Sequence, residues 1–284
     1  MTFHGLDLAR PQVMAILNAT PDSFYAASRT FDAEAMERRA AEAVVAGASI
    51  IDVGGYSSRP GAAEVAPDEE WRRVREGVAA VRRAAPRAAV SVDTFRSEVA
   101  ARIIEEFGPV IINDISAGEQ DGGMVAVAAR YEVPYIAMHM RGTPSTMQSL
   151  TDYGGGIAEA VADYFARRTR ELTAAGIRPD RLILDPGFGF AKSTEQNFAL
   201  LAGLHRLCGM GFPVLAGVSR KSMIWRTLDT TPDGALAGTV ALGWECLRQG
   251  VSILRVHDVR EAVDTVRLFG ALRRGEQTTN CTTR

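Results

Sequence analysis

The feature that most constrains the fold of this chain is a repeated alternation between short apolar runs and longer segments of helical composition. Each run is rich in Val, Ile, Leu or Ala, and most end at a polar residue, which is typical of parallel strands buried on both faces. The runs lie at residues 13–17, 50–53, 89–92, 110–112, 134–138, 182–184, 213–217 and 252–254. About eight strand–helix units in series predict an α/β fold, a single-domain (β/α)8 TIM barrel.

The rival architecture is an open, doubly wound sheet. Such a sheet usually has fewer strands, and its dinucleotide-binding form places G-x-G-x-x-G after the first strand. No such motif follows residues 13–17 here. Because no linker divides the chain, we expect an N-terminal extension at residues 1–12, one barrel domain at 13–272 and a loose polar tail at 273–284.

Composition argues against several classes of function. The 284 residues include 32 Lys and Arg against 34 Asp and Glu, so no basic excess indicates a nucleic-acid partner. No apolar run reaches the length that crosses a membrane. The three cysteines are an odd number without C-x-x-C spacing, which argues against a disulfide framework or a zinc ribbon. We therefore expect a cytoplasmic protein.

Polar residues stand at the carboxyl ends of the predicted strands. In a (β/α)8 barrel these ends converge on one face, where active sites lie. Any single residue has a structural alternative: Asp185 could cap local backbone instead of facing a ligand, and Asp52 and Asp114 are the members we most expect to be structural. The set as a whole predicts a site; it comprises Asn18, Asp52, Asp93, Asn113, Asp114, His139, Asp185, Ser219, Arg220, Lys221, Arg255 and His257.

Part of this set suits a flat ligand rich in N–H groups. Asp93, Asn113 and Asp185 provide hydrogen-bond acceptors. A carboxylate can accept two parallel bonds from an amino group and an adjacent ring N–H, as it does from a guanidinium. Lys221 can donate to a ring carbonyl or nitrogen. These residues predict an amino-heterocycle at one side of the barrel mouth.

The remaining strand-end residues suggest an anion. Arg255 and His257 follow the eighth predicted strand, and barrels often bind phosphate beside the seventh and eighth strand ends. Both side chains can donate to phosphate oxygens. Asn18 offers an amide oxygen that could contact Mg²⁺, which retains most of its waters and takes few protein ligands. A phosphate site with Mg²⁺ is therefore predicted at the other side of the mouth.

The chain resembles the dihydropteroate synthase family from about Val13 to Phe269. The resemblance rests on eight motifs, each at or after a strand end and all in order along the chain. They are ILNATPDSF at 16–24, GYSSRPG at 55–61, SVDT at 91–94, INDI at 112–115, MHM at 138–140 with GTP at 142–144, LDPGFGF at 184–190, SRKS at 219–222 and RVHD at 255–258. Any one motif is a modest signal, whereas the ordered set is specific to this family.

The resemblance implies a reaction and a set of roles. The family condenses 6-hydroxymethyl-7,8-dihydropterin pyrophosphate with p-aminobenzoate to 7,8-dihydropteroate in folate biosynthesis, and releases pyrophosphate. Members are typically homodimers, use Mg²⁺ and are targets of sulfonamides, which mimic p-aminobenzoate. The pterin pocket maps onto Asp93, Asn113, Asp185 and Lys221; the pyrophosphate and Mg²⁺ sites map onto Asn18, Arg255 and His257; the p-aminobenzoate site maps onto Ser58, Arg59, Pro60, Phe190, Ser219 and Lys221.

The implied mechanism is dissociative and requires no nucleophilic side chain. Negative charge accumulates on the departing pyrophosphate, where Mg²⁺, Arg255 and His257 would stabilise it. The pterin ring delocalises the cation left behind, which Asp93 and Asp185 would favour electrostatically. Catalytic roles are therefore expected for Asn18, Asp93, Asp185, Lys221, Arg255 and His257.

Two loops depart from the family pattern. After Ser-Phe at 23–24 the family often has Ser-Asp-Gly-Gly, whereas here Ala26 stands at the Asp position and Ala27 follows it. In the second loop Tyr56 replaces a common Glu, and Ser58 replaces a common Thr but retains the hydroxyl. The predicted pterin pocket stays complete, and the changes concern loop closure and p-aminobenzoate binding.

Three other functions are weighed against this one. A metal-dependent barrel hydrolase would use His139, His257 and the aspartates as ligands, but it usually has H-x-H at the first strand end, where this chain has Asn18. A pterin-binding methyltransferase domain would share the pterin pocket without needing residues 219–221. A non-catalytic pterin-binding barrel is favoured by the altered first loop and disfavoured by the retained phosphate-side residues.

Overall fold

The chain forms a (β/α)8 barrel in a computed structural model that describes residues 2–3, 6–19, 33–56 and 64–281. Its elements alternate as the apolar runs predict. In chain order they are β1 Thr2–Phe3, β2 Leu6–Asp7, β3 Gln12–Asn18, α1 Ala33–Ala46, β4 Ile50–Gly54, α2 Pro67–Ala84, β5 Ala89–Asp93, α3 Ser97–Phe107, β6 Ile111–Asp114, α4 Gly123–Tyr131, β7 Tyr135–Met138, α5 Ile157–Ala174, β8 Leu182–Asp185, α6 Thr194–Ala202, α7 His205–Cys208, β9 Leu215–Ala216, α8 Ser222–Thr227, α9 Leu236–Gln249, β10 Ile253–Val256 and α10 Val259–Cys281. Among the described residues, short 3₁₀ helices lie at Met147–Ser149, Pro179–Arg181 and Asp233–Ala235.

Eight strands form one parallel sheet in the order β8-β7-β6-β5-β4-β3-β10-β9. The two outer strands meet where Leu184 pairs with Val214, and Leu184 N donates to Pro213 O at 2.9 Å. The predicted TIM-barrel fold is therefore confirmed. Within the described residues, none of the helices combines the length and apolar composition needed to cross a bilayer.

The register of the strands aligns their carboxyl ends in one row. Asn18 lies beside Gly54, Gly54 beside Asp93, and Asp93 beside Asn113. Side chains alternate in direction along a strand, so Asp52, two residues before Gly54, also faces the barrel interior. A Cβ at position 54 would lie 3.4 Å from the Cβ of Asp93, in ordinary van der Waals contact, so position 54 directly adjoins that side chain.

The lower end of the barrel is apolar and is sealed by the N-terminal segment. One interior residue from each barrel strand joins a buried cluster with Leu6 and Leu8; these are Met14, Ile50, Ala89, Ile111, Ile136, Ile183, Leu215 and Ile253. Leu6 lies in β2, which pairs with β1 as a short antiparallel ladder. The segment predicted as an extension thus supplies the floor of the barrel.

Two strand–helix units contain more than one helix. The unit after β8 has α6 and α7, divided near Gly203, where a Cβ would lie 2.5 Å from that of Ala158 on α5. The unit after β9 has α8 and α9. The last helix, α10, continues into the segment predicted as a loose tail, and there Arg273 pairs with Glu276 at 3.5 Å.

Candidate active site

The mouth of the barrel brings together five predicted site residues from different elements. They are Asp93 at the end of β5, Asn113 in β6, Asp185 at the end of β8, Lys221 just before α8 and Arg255 in β10. Asp93 and Asn113 are register neighbours. Burial lowers the pKa of Lys221, whereas the carboxylates of Asp185 and Asp93 raise it. The three charged groups are therefore close to one another at the mouth of the barrel.

Arg255 lies between two carboxylates in this structure. Its Nε donates to Asp52 Oδ2 at 2.7 Å, and its Nη2 donates to Asp93 Oδ2 at 2.7 Å. Asp52 Oδ2 also accepts a hydrogen bond from Asn113 Nδ2 at 3.1 Å. Asp52, which we expected to be structural, is fully buried and holds two site residues in place. The contact of Arg255 with phosphate stays a prediction.

Asp114 has the structural role expected of it. Its Oδ1 accepts from the backbone N and the hydroxyl of Ser116 at 2.8 and 2.7 Å. Its Oδ2 accepts from Gly118 N at 2.7 Å and from the Tyr135 hydroxyl at 2.6 Å. These partners belong to the loop after β6 and to β7, so the carboxylate organises that loop.

Asp185 binds local backbone through one of its oxygens, as the first of its two alternatives predicts, and its contact with a ligand stays a prediction. Asp185 Oδ1 accepts from Gly187 N at 2.7 Å. Gly187 has a φ of +68°, and a Cβ there would lie 2.1 Å from His139 O, so this turn requires glycine. Burial raises the pKa of Asp185, while Lys221 and Gly187 N lower it. The turn therefore holds the carboxylate at the mouth.

Lys221 and Phe190 lie against each other beside Asp185. The ammonium of Lys221 donates to Phe188 O and lies 4.9 Å from the centroid of the Phe190 ring. Burial lowers the pKa of Lys221 to about 8, and the carboxylate of Asp185 opposes this. Phe190 belongs to an apolar wall; its other members are Phe95, Ile115, Met138, Met140, Met147 and Ala191.

Ser219 and His257 form a second pair near the end of β10. His257 N donates to Ser219 Oγ at 3.1 Å, and the same hydroxyl lies 3.1 Å from His257 Nδ1. His257 is an exposed residue. Arg220 instead forms two hydrogen bonds to Asp258, at 2.9 and 2.7 Å, and stabilises the loop that precedes α8.

Asn18 stands at the end of β3, half-buried and beside Gly54 in register. Among the described residues, no three His, Cys, Asp or Glu side chains form a group that could hold a metal ion. Ser58, Arg59 and Pro60 lie outside the described residues, as do Ala26 and Ala27 of the first loop.

Lys192 is a site residue that the sequence patterns did not predict. This lysine is buried under the loop after β8, where its ammonium lies 3.1 Å from Nδ1 of the buried His139. A signal for it exists in the composition, since Lys192 and Lys221 are the two lysines among the 32 basic residues. Lysine differs from arginine in presenting a compact ammonium with three donors, which the enclosed position of Lys192 accommodates.

The mouth as a whole has a defined chemical character. Three buried or half-buried carboxylates (Asp52, Asp93 and Asp185) face the cations Arg255 and Lys221, with an amide beside them and an apolar wall at one side. A polar edge that both accepts and donates, next to an apolar wall, suits a flat nitrogen heterocycle. The fold and site define a (β/α)8 barrel enzyme that binds such a heterocycle at its carboxyl-terminal face.

Comparison with known proteins narrows this class to one family. The sequence model of the pterin-binding enzymes matches residues 14–257. The chain is 43% identical to the dihydropteroate synthase of Escherichia coli over 269 residues, 94% of this chain and 93% of that one. This chain belongs to the dihydropteroate synthase family.

Solved structures agree with this assignment. Dihydropteroate synthase of Xanthomonas albilineans with 4-aminobenzoic acid superposes with a TM-score of 0.86 at 38% identity, covering 94% of this chain and 95% of that one. The same enzyme in complex with 7,8-dihydropteroate gives a TM-score of 0.84 at 34% identity over the same shares of the two chains.

Proposed function

We propose that this chain condenses 6-hydroxymethyl-7,8-dihydropterin pyrophosphate with p-aminobenzoate to 7,8-dihydropteroate and releases pyrophosphate. The observation that supports this best is the group of acid, amide and amine side chains at the mouth, Asp93, Asn113, Asp185 and Lys221. Buried groups of this kind need hydrogen-bonding partners. The amino and ring N–H groups and the carbonyl of a pterin supply them.

Each polar residue has a distinct role toward the pterin. Because Asn113 Nδ2 donates to Asp52, its amide oxygen is oriented to accept an N–H of the ligand. Asp185 binds backbone through Oδ1, so Oδ2 can accept from the pterin amino group. Lys221 donates to the ring carbonyl or a ring nitrogen. Asp52 would act on the pterin through Asn113.

The reaction chemistry follows from the charges around this pocket. As pyrophosphate departs, positive charge develops on the pterin, and the carboxylates of Asp93 and Asp185 favour it. Arg255 and His257 would donate to the departing pyrophosphate. The aromatic amine then forms the new C–N bond, for which such an electrophile needs no strong base. This dissociative course is consistent with a site whose charged side chains stabilise and orient the reactants without a nucleophilic side chain.

We infer that Mg²⁺ is held at this site by Asn18. The donor chemistry fits, because an amide oxygen is a hard ligand and Mg²⁺ takes few ligands from protein. Asn18 lies in the same strand-end row as Asp93 and Asn113. When bound, the metal supplies Lewis-acid stabilisation of the leaving group.

The second substrate would lie against Phe190, with the Ser219 hydroxyl as a polar partner. Ser58, Arg59 and Pro60 belong to the same proposed p-aminobenzoate site. We also propose that the protein is a homodimer, from the family resemblance, and that it is cytoplasmic, from the cysteine pattern.

A turnover assay tests the function. The full chain with dihydropterin pyrophosphate, p-aminobenzoate and Mg²⁺ should release one pyrophosphate for each dihydropteroate formed. Coupled phosphate detection measures the pyrophosphate, and chromatography measures the dihydropteroate. Asp185→Asn should lower kcat/KM about tenfold or more, because a charged hydrogen-bond acceptor is lost. Val45→Ala, at an 89% exposed position on α1, serves as the control and should match the wild type. Folded protein that binds the dihydropterin without releasing pyrophosphate would support the non-catalytic alternative.

A further inference from the structure

Lys192 is a buried lysine to which the proposed reaction assigns no role. Its side chain is 6% exposed. Its ammonium donates to Gly187 O and Phe190 O, both at 2.9 Å, and lies 3.1 Å from His139 Nδ1. His139 O is a fourth, longer contact at 3.5 Å, so every N–H group of an ammonium at Lys192 has a partner.

The loop above Lys192 follows an unusual backbone path. Gly187, Gly189 and Ala191 all have positive φ, at +68°, +81° and +50°. Because left-handed residues alternate with ordinary ones, the carbonyls of this loop point in different directions. The carbonyls of Gly187 and Phe190 accept from Lys192, and the carbonyl of Phe188 accepts from Lys221. The two lysines of the chain therefore hold the same loop through different carbonyls.

This loop determines where two site residues lie. Gly187 N donates to the carboxylate of Asp185 at 2.7 Å, so a shift of the loop would move that carboxylate's partner. The ring of Phe190, part of the apolar wall, lies at the other end of the loop. Lys192 thus contacts both ends of the segment that joins the pterin acceptor to the aromatic wall.

The acceptors around Lys192 favour its ammonium form, whereas its surroundings lower its pKa. Burial holds the pKa of Lys192 well below the ordinary value; the carboxylate of Asp185 opposes this, and the cations Lys221 and Arg141 lower the pKa further. The carbonyl oxygens at 187 and 190, which only accept, are the contacts that support an ammonium here. A neutral amine would instead require a proton on His139 Nδ1 as donor, so the two forms predict different tautomers of His139.

We propose that Lys192, as an ammonium, is a positioning residue for the reaction proposed above: it holds residues 187–190 so that Asp185 and Phe190 meet the pterin in a fixed arrangement, and it fixes His139 as the Nε2–H tautomer. The role depends on the proposed pterin substrate, but Lys192 acts through its neighbours and does not contact the substrate.

The first test compares pterin binding in two full-length variants. Lys192→Met retains the aliphatic stem and removes the three donors, and it should weaken calorimetric binding of dihydropterin pyrophosphate about tenfold or more. Ser193→Ala is the matched control. Ser193 caps α6 in a capping box with Gln196, so this change should lower the melting temperature without weakening pterin binding. Equal binding by folded Lys192→Met and wild type would overturn the proposal, whereas a wild type that binds no pterin would refute the proposed function.

A second measurement uses the wild-type protein and does not depend on whether a variant folds. Protein labelled with ¹³C at the lysine Cε gives two side-chain signals, because the chain has two lysines. The Lys192 signal should report an ammonium at neutral pH, and ¹⁵N-labelled His139 should show an unprotonated Nδ1. A protonated Nδ1 with a neutral amine at Lys192 would overturn the proposal.

Discussion

At the scale of single residues, the site depends on one guanidinium shared by two acids. Arg255 bonds to Asp52 and Asp93 at 2.7 Å each. Removing one member of a buried ion pair leaves an uncompensated charge, which is strongly destabilising. Asp52 also accepts a hydrogen bond from Asn113, so one buried carboxylate holds two site residues. It is buried because its side chain faces the barrel interior. The pKa values of the groups around Arg255 give the site a pH dependence.

We predict that kcat/KM for the pterin substrate has a maximum between two ionisations. Burial raises the pKa of Asp93 to about 7, with Arg255 opposing, and burial lowers the pKa of Lys221 to about 8. Since pterin binding needs the carboxylate and the ammonium, the value should rise as pH passes 7 and fall as it passes 8. Asp93→Asn should remove the acidic limb of the steady-state profile. A flat wild-type profile between about pH 6 and 9 would contradict this assignment.

The same pKa shift has a defined sign for stability. Folding raises the pKa of Asp93 above its ordinary value of 3.8, so the folded state binds the proton more tightly than the unfolded state. The stabilisation from this group is complete below the unfolded pKa and is lost as pH rises through about 7. Urea unfolding of wild type and Asp93→Asn at several pH values provides the comparison, and the variant should lack this contribution.

At the scale of elements, a buried carboxylate joins helix α2 to the loops at the mouth. Glu70 is fully buried on α2, accepts from the Thr94 hydroxyl at 2.5 Å and pairs with Arg96. The Arg96 guanidinium lies 5.6 Å from the Tyr56 ring centroid and 5.2 Å from that of Phe95. Tyr56 replaces the glutamate that the family often has there, and the aromatic ring provides Arg96 with a stacking partner. One ion pair therefore connects α2 with the ends of β4 and β5.

We predict that Glu70→Ala lowers the free energy of unfolding by about 3 kcal/mol, because the largely buried guanidinium of Arg96 loses its counter-ion. Urea denaturation measures the change. Glu69→Ala is the neighbouring control: its carboxylate pairs with Arg72 and Arg73 at the helix surface, and we expect a loss below about 1 kcal/mol. Equal losses in the two variants would mean that the buried pair adds nothing beyond a surface pair.

At the scale of the whole molecule, the barrel divides stability and function between its two ends. The mouth contains the charged residues, whereas the opposite end contains the apolar layer with Leu6 and Leu8 packed against it. Buried carboxylates at the mouth leave less area there for apolar packing. At the other end, Leu6 and Leu8 add apolar contacts, so the N-terminal segment is part of the folded core.

We predict that Leu6→Ala combined with Leu8→Ala destabilises the protein by at least about 2 kcal/mol and leaves the dissociation constant for the pterin unchanged, because large-to-small changes remove apolar contacts far from the mouth. Urea denaturation and calorimetry measure the two quantities. Leu272→Ala, at a 49% exposed position on α10, should have little effect on either. A weakened pterin affinity in the floor variant would show that the two ends are coupled.

The sequence predicts the fold and five of the residues that meet at the mouth, but not Lys192 or the contacts of Asp52. The apolar runs report local burial, and strand–helix alternation with right-handed crossovers allows few closed arrangements. The carboxyl ends of the strands must then share one face, so Asp93, Asn113, Asp185, Lys221 and Arg255 could be grouped before any coordinates were known. The fold needs little beyond this local pattern.

Which of these residues bond to one another depends on the closed barrel. Arg255 pairs with Asp52, 203 residues away, and Lys192 with His139, 53 residues away. Leu6 and Leu8 became the barrel floor by packing against residues from all eight strands. Hydrogen bonds and packing depend on distances of a few ångströms between side chains on different strands. No local pattern contains those distances, because they are set only when the barrel closes.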